Sequence, residues 1–442
     1  MVLTITPGPT GNVLHPSIIM FSSLFSTTDP TAQNFHPVSS AFKPEELNGA
    51  LEPKDTEWLC AGGFMTETQI WYTILDDGTS VMCQIIHSSV GVWYPQIQFT
   101  FKITNPHKGE TEWRSMNISN FVTPPPGLDK RSSKSDQFTI THKAAPGSDA
   151  PESYSIHVNA GADLQVMLDV RRSVGAPGFK AGKGPKGGYS YFGADVKAPE
   201  GYVVHRFWPY TLSAGHVILK GVAREIAGPG MFVHAIQGMR PNLVACRWNF
   251  VHFQSPAHGG TSAIQMEFTT TESHGRKGSG SGHAVTNVGS LVVGGKLVTV
   301  SAETRWPGEN ANEGAVVSRA EHLLPKHDPQ TGYAQPTELQ FKWRAPAAVP
   351  GVSGDVRGTL SVDVGTPDAP KGLIEKVDVL GEIPGAVKAI VSYVAGTKPY
   401  IYQWVNPARL VLNGPDDLAP GMSGGIEAEG HAYVEATFIS AT

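Results

Sequence analysis

The residues of this 442-residue chain that could do chemistry are neutral hydrogen-bonding groups, one cation and aromatic rings, all set inside apolar, strand-like runs. Gln69 and Trp71 stand two apart in one such run, and Gln84 and His87 lie in the next. Arg206 and Trp208 share the segment His-Arg-Phe-Trp-Pro, His234 and Gln237 the segment His-Ala-Ile-Gln, Asn249 and His252 the segment Trp-Asn-Phe-Val-His, and Tyr402 falls in Lys-Pro-Tyr-Ile-Tyr-Gln. Such a set can wall a cavity, hold an apolar small molecule and orient it with a few hydrogen bonds. Harder chemistries fail on context. The 16 histidines form no HxH or HExxH pattern and no cluster with cysteine, which argues against a metal centre. Gly421 to Gly425 fits GxSxG, but it sits in a Pro-Gly loop ahead of the last strand and not at a strand-to-helix elbow. Gly178 to Lys183 has the wrong spacing for a phosphate loop, and no helix follows it. Carboxylates are scarce in the strands, Glu67 being the main exception, which argues against paired-carboxylate chemistry. Arg206 also has a purely structural reading, since a buried cation needs a carboxylate such as Glu67, and Trp208 before Pro209 could simply pack a barrel end.

The elements that position these groups read as short strands. Thr66–Leu75, the Asp77-Gly78 turn, Val81–Ser88 and Tyr94–Ile103 follow hairpin grammar. In the last of these Ile97, Phe99, Phe101 and Ile103 alternate with Gln96, Gln98, Thr100 and Lys102, predicting one buried and one wet face. Further strands are predicted at residues 113–121, 137–142, 154–159, 165–171, 188–192 and 216–223. A second series starts near Gly230 and runs through 264–271, 290–293, 296–302, 338–343, 358–364 and 433–439. A Gly-Met-Arg-Pro turn at Gly238 to Pro241 precedes a strand with Trp248, Phe250, His252 and Gln254 on one parity and Asn249, Val251, Phe253 and Ser255 on the other. Each face mixes rings with hydrogen-bonding groups, and alternation does not decide which face looks inward. Pro384 to Val394 is the one convincing helix. The expected division is an extended arm over 1–50, a first domain over 51–225 and a second over 226–442.

Composition supports this reading. The 49 glycines and 34 prolines, close to a fifth of the chain, suit many turns between short strands. The length accommodates two domains with their own cores. A net charge of −5 with interspersed signs leaves no basic stripe, so nucleic acid is not an expected partner. Cys60, Cys83 and Cys246 are too few for a disulfide framework and read as buried thiols, with a Cys60–Cys83 pair as the alternative. Asn117-Ile118-Ser119 is a chance-level glycosylation sequon. The proline-broken N-terminus has no basic leader and no stretch approaches the length of a membrane span, so a cytoplasmic location is expected.

Ala395 to Gln403 (AGTKPYIYQ), Ile236 to Pro241 (IQGMRP) followed by Trp248-Asn249-Phe250, His205 to Pro209 and Thr437 to Ser440 resemble the fungal survival-factor family. The resemblance extends with gaps from about residue 55 to the C-terminus. It implies an all-β fold of two lipocalin-like antiparallel β-barrels in tandem, with one short helix near the C-terminus. It implies two competing functions. One is a cofactor-independent pericyclase of fungal secondary metabolism, a hetero-Diels-Alderase joining a tropolone-type quinone methide to a humulene-type sesquiterpene. Arg206, His87 or Gln84 would then polarise the reacting oxygen, while Gln69, Trp71, Trp208, His234, Gln237, Asn249, His252 and Tyr402 hold the reactants. The other is a non-enzymatic carrier that shelters a ceramide-like lipid in the same cavity. An isomerase or hydratase with His87 or His252 as general acid is a third reading. No cofactor is expected in any of them. Two departures from the family favour the pericyclase: Pro7, Gly8 and Pro9 prevent an amphipathic N-terminal helix, and no long acidic insertion precedes Gly230.

Overall fold

The computed structural model describes residues 32–91, 95–277, 282–309, 315–379 and 398–440. The helix expected over Pro384 to Val394 and most of the N-terminal arm lie outside the described residues. Among those described, one four-residue α-helix, Pro241–Val244, stands against a chain built of strands.

The first antiparallel sheet contains β1 (Gly63–Ile74), β2 (Ser80–Gly91), β3 (Gln96–Asn105), β4 (Glu110–Asn117), β5 (Phe138–Ala144), β6 (Glu152–Asn159), β7 (Leu164–Arg172), β8 (Gly201–Leu219) and β9 (Val222–Gln237). The second contains β10 (Arg247–Ser255), β11 (Thr261–Thr269), β12 (Val285–Val293), β13 (Lys296–Arg305), β14 (Val317–Leu323), β15 (Glu338–Pro346), β16 (Asp355–Asp363), β17 (Leu373–Asp378), β18 (Tyr400–Asn413) and β19 (Ile426–Phe438). The two sheets repeat one topology. Their orders are 4-3-2-1-9-8-7-6-5 and 13-12-11-10-19-18-16-15-14, with β17 added beside β18, so each sheet pairs its first strand with its last.

Each sheet curls until its ends meet, giving two lipocalin-like barrels in tandem. In the first, the chain beyond β4 bridges the segment before β5: Val122 N donates to the Lys134 carbonyl at 2.8 Å, and Lys134 N returns a bond at 3.0 Å. In the second, Ser301 and Ser318 hydroxyls join β13 to β14 at 2.9 Å, and Ser318 N donates to the Glu303 carboxylate.

The strand register corrects one expectation. The predicted strand over 216–223 is a hairpin, turning at Lys220 and Gly221 between two long strands. β9 runs straight through Gly228-Pro229-Gly230 to Gln237, and the first strand of the second sheet opens at Arg247. Those glycines mark close approach and not a break: a Cβ at Gly230 would lie 1.9 Å from the Tyr72 carbonyl oxygen. Pro209, which cannot donate to a ladder, is absorbed in β8 where the register shifts between Trp208 and Thr211.

Among the described residues the three largest of five apolar clusters fill the barrels and join them. Trp71, Phe99, Phe101, Tyr154, Trp208 and Phe232 fill the first barrel. Val251, Phe253, Phe341, Trp343, Tyr402 and Trp404 fill the second. Tyr72, Met231, Val233, Phe250, Ile264 and Tyr433 make a seam in which outer faces of the barrels pack back to back. The seam explains why the second face of β3 is not wet throughout: Thr100 and Lys102 are buried, and Lys102 reaches Gln403 and Glu375 of the other barrel.

Candidate functional site

The first barrel collects six of the predicted residues. Gln69 and Trp71 on β1, His87 on β2, Arg206 and Trp208 on β8 and His234 on β9 are all buried there. Trp71, Tyr154, Trp208 and Phe232 form a ring cluster with centroids 5.0 to 5.3 Å apart. Arg206 does not pair with Glu67 as expected. Its Nε lies 3.6 Å from Asp55 Oδ1, its Nη2 donates to the Tyr189 hydroxyl at 3.0 Å, and Lys180 Nζ holds the other Asp55 oxygen at 2.7 Å. Glu67 instead faces His234, Nε2 to Oε1 at 2.8 Å, and accepts the backbone N–H groups of Leu59 and Cys60. The second nitrogen of His234 meets the Asp55 carbonyl at 3.0 Å, so the ring bridges two acceptors, one on each side. Burial pushes the Glu67 carboxyl up, but the His234 ring and the two amides outweigh it and hold it below the ordinary range.

The second barrel takes Asn249 and Tyr402. Asn249 Nδ2 donates to Glu267 at 3.0 Å, and its oxygen faces His322 Nε2 at 2.7 Å. Tyr402 donates to Asp328 Oδ2 at 2.7 Å, an oxygen that also holds Lys376 at 2.8 Å, and its hydroxyl meets Thr331. Both are satisfied by their own chain.

The other three predicted residues belong to the seam side. His252 points into it. Gln84 and Gln237 share parity with Met82 and with Met231 and Val233, not with the barrel interior. In the seam the rings of Tyr72, Phe250 and Tyr433 lie 5.4 to 6.1 Å apart, and His252 is 5.8 Å from Tyr72. Gln254 Nε2 donates to His252 Nε2 at 2.6 Å and also faces the Gly230 carbonyl and the Ser262 hydroxyl, so the neutral His252 ring carries its proton on Nδ1. As placed, His252 Nδ1 and Gln254 Oε1 are buried without a partner. A cleft of about 320 Å³ opens at this point, lined by Ile74, Leu75, Pro229, Gln254, Pro407 and His431 among others. Deeper in the seam Glu435 accepts from Gln403, Tyr433 and Thr437, and burial pushes its carboxyl up, toward a neutral acid. His252 is driven down to about 3 by burial, and burial also lowers His87 against the pull of Glu67. Burial thus disfavours the charged form of both rings, which weighs against the general-acid roles considered for them.

Comparison with known proteins fits this architecture. The Svf1 family model matches residues 20–440. The chain belongs to the Svf1 family. The ceramide-binding protein svf1 of Aspergillus fumigatus is 33% identical over 80% of this chain and 78% of its own length. That of Emericella nidulans is 30% identical over 95% of this chain and 98% of its own. Among solved structures, CghA with Sch210972 superposes with a TM-score of 0.57 at 12% identity, covering 92% of this chain and 98% of that one, a likeness of fold.

In this Svf1-family chain, sequence reasoning missed Asp55, Lys180 and the seam partners Tyr72, Lys102 and Glu435. Asp55 and Lys180 are 125 residues apart, one in a single turn of 3-10 helix and the other in the three-residue strand Phe179–Ala181, elements too short for periodicity to flag them. The seam residues did carry a signal: Phe250, His252 and Gln254 share one parity of β10, and that parity is the face turned to the other barrel. The three cysteines are free thiols.

Proposed function

We propose that this protein binds a hydrophobic small molecule in the seam between its barrels. The observation that carries the reading is the pair of buried, unpartnered polar atoms, the donor His252 Nδ1 and the acceptor Gln254 Oε1, beside an aromatic wall and an open cleft. With Nε2 accepting from Gln254, His252 Nδ1 can donate to a carbonyl while Gln254 Oε1 accepts from a hydroxyl on the same ligand. The names of the relatives support a ceramide-type lipid, whose hydroxyl and amide match that pattern, and a carrier needs no further chemistry.

A second reading, a cofactor-independent hetero-Diels-Alderase, is favoured by size. The cleft, at about 320 Å³, lies at the small end of the ~300–1,000 Å³ typical of ligand pockets, which suits compact reactants better than a two-chain lipid. Holding two apolar reactants in contact contributes on the order of several kcal/mol by pre-spent entropy. Glu435 or Gln84 would then donate to the oxygen on which charge builds in the transition state.

One experiment separates them. The purified chain is incubated with an N-acyl sphingosine, and separately with a tropolone quinone-methide precursor and humulene. Native mass spectrometry follows binding and chiral chromatography follows adducts. Lipid retention without turnover supports the carrier, and accelerated, stereoselective adduct formation supports the pericyclase. Gln254→Leu is expected to weaken whichever is seen at least about tenfold, the cost of one lost hydrogen bond to a buried group. If neither lipid nor adduct is detected, or Gln254→Leu changes nothing, the seam is not the site.

A further inference from the structure

The end of the first barrel is closed by a segment built unlike the barrel. Residues Glu52–Cys60 contain one turn of 3-10 helix, Pro53–Thr56, and no strand. Few main-chain bonds tie this strap to the barrel framework: Leu51 N donates to Gly178 O at 3.2 Å and Trp58 N to Lys130 O at 3.0 Å. The other ties run from barrel side chains. Lys180 and Arg206 hold the Asp55 carboxylate, His234 the Asp55 carbonyl, Gln69 Nε2 the Thr56 carbonyl at 3.2 Å, and Glu67 the amides of Leu59 and Cys60. A unit held by side chains and not by a ladder sits at the low-stability end of a fold. Its downstream joint is Cys60, a non-glycine at φ +47, followed by Gly62 and Gly63, where a Cβ would meet nothing.

What the strap delivers into the barrel is Trp58. Its ring is buried, 5.6 Å from Phe121 and 6.1 Å from His234, yet its indole N–H has no partner. In the same interior Trp71 Nε1, Gln69 Oε1 and His87 Nδ1 are likewise unpartnered, and all four residues are more than nine-tenths buried. Trp58 thus satisfies the apolar requirement of the chamber and none of its polar ones. Buried donors and acceptors in native interiors are almost always paired, so this set fits an occupant that supplies what Trp58 does not.

We infer that the Glu52–Cys60 strap is a lid with Trp58 as its plug, and that a compact hydrophobic ketone or hydroxyketone replaces Trp58 inside the first barrel. Its carbonyl oxygen accepts from Trp71 Nε1, and a hydroxyl, where present, donates to Gln69 Oε1. This chamber is separate from the seam and does not depend on the seam reading.

The test uses the full chain and prodan, a fluorescent naphthyl ketone whose emission shifts blue on burial. A closed lid lowers apparent affinity by the fraction of open molecules, so Trp58→Ala is expected to tighten prodan binding about tenfold or more. Adding Trp71→Phe should remove most of that gain, and Gln254→Leu, in the seam, should leave it intact. Should Trp58→Ala fail to fold, hydrogen exchange on the unaltered chain decides: saturating prodan should speed exchange at Leu59 and Cys60 while leaving β6 unchanged. A folded Trp58→Ala that binds prodan no better, a gain lost with Gln254→Leu but kept with Trp71→Phe, or exchange of the strap unmoved by prodan overturns the proposal.

Discussion

At the scale of single residues, burial sets the charges. His205 is lowered to about 4 and His252 to about 3, both by burial, so the folded state refuses protons that the unfolded chain accepts near 6.5. Their contribution is complete above the unfolded value and is lost as pH falls from about 6.5 toward 3 to 4. The urea midpoint is therefore expected to fall steadily below pH 6.5, each histidine costing roughly 2 kcal/mol by pH 4.5. His252→Leu should flatten that slope, and an unchanged slope would show that His252 is accessible to protons. Glu435 behaves oppositely. Its folded value is raised by burial, so its contribution is present at low pH and lost as pH rises through the folded value. Glu435→Gln is expected to stabilise the protein at pH 8 by on the order of 1 kcal/mol, with the difference closing at pH 4, as read from paired denaturation curves.

Among elements, those that cover the barrel ends are held by ionised groups and not by ladders. The short hairpin of Lys326–His327 and Ala334–Gln335 crosses the second barrel as the Glu52–Cys60 strap crosses the first. Asp328 anchors it: burial opposes ionisation, but Lys376 and the Tyr402 hydroxyl hold its carboxyl below the ordinary range. Tyr402→Phe removes one charge-assisted bond and is expected to cost about 1–3 kcal/mol. Hydrogen exchange should speed up in the hairpin and not in β18, where the backbone ladder is intact. Equal acceleration in both would mean that Tyr402 supports the whole sheet.

At the scale of the molecule, the seam makes the barrels one body. Tyr72, Met231 and Val233 from one half face Phe250, Ile264 and Tyr433 from the other, and burial of each is worth roughly 1.5–3 kcal/mol. Lys102 adds a polar bridge to Gln403, and His107 Nε2 meets the Val405 carbonyl at 3.0 Å. Residues 32–240 and 241–442 expressed apart would each present this face to water, which marks them for aggregation. They are expected to be insoluble alone and to co-elute as one species on size-exclusion chromatography when co-expressed. Soluble, monomeric halves would show that the seam is dispensable for folding.

Much of this was legible in the chain itself. Alternation in β3 and β10, turn chemistry between strands and the spread of glycine and proline determined an all-β chain, because side chains on a strand repeat every two residues and that period survives in one dimension. The family segments determined the tandem arrangement, and the rings and amides of β1, β8 and β9 announced a polar-aromatic interior. Only the tertiary structure decided which parity faces which core. Over residues 71–74, 230–234 and 249–255 both faces are buried, one in a barrel and one in the seam, so hydropathy carries no contrast between them there. It also decided that Arg206 answers to Asp55 and His234 to Glu67, since closing a barrel brings together residues more than a hundred positions apart whose pairing leaves no local trace.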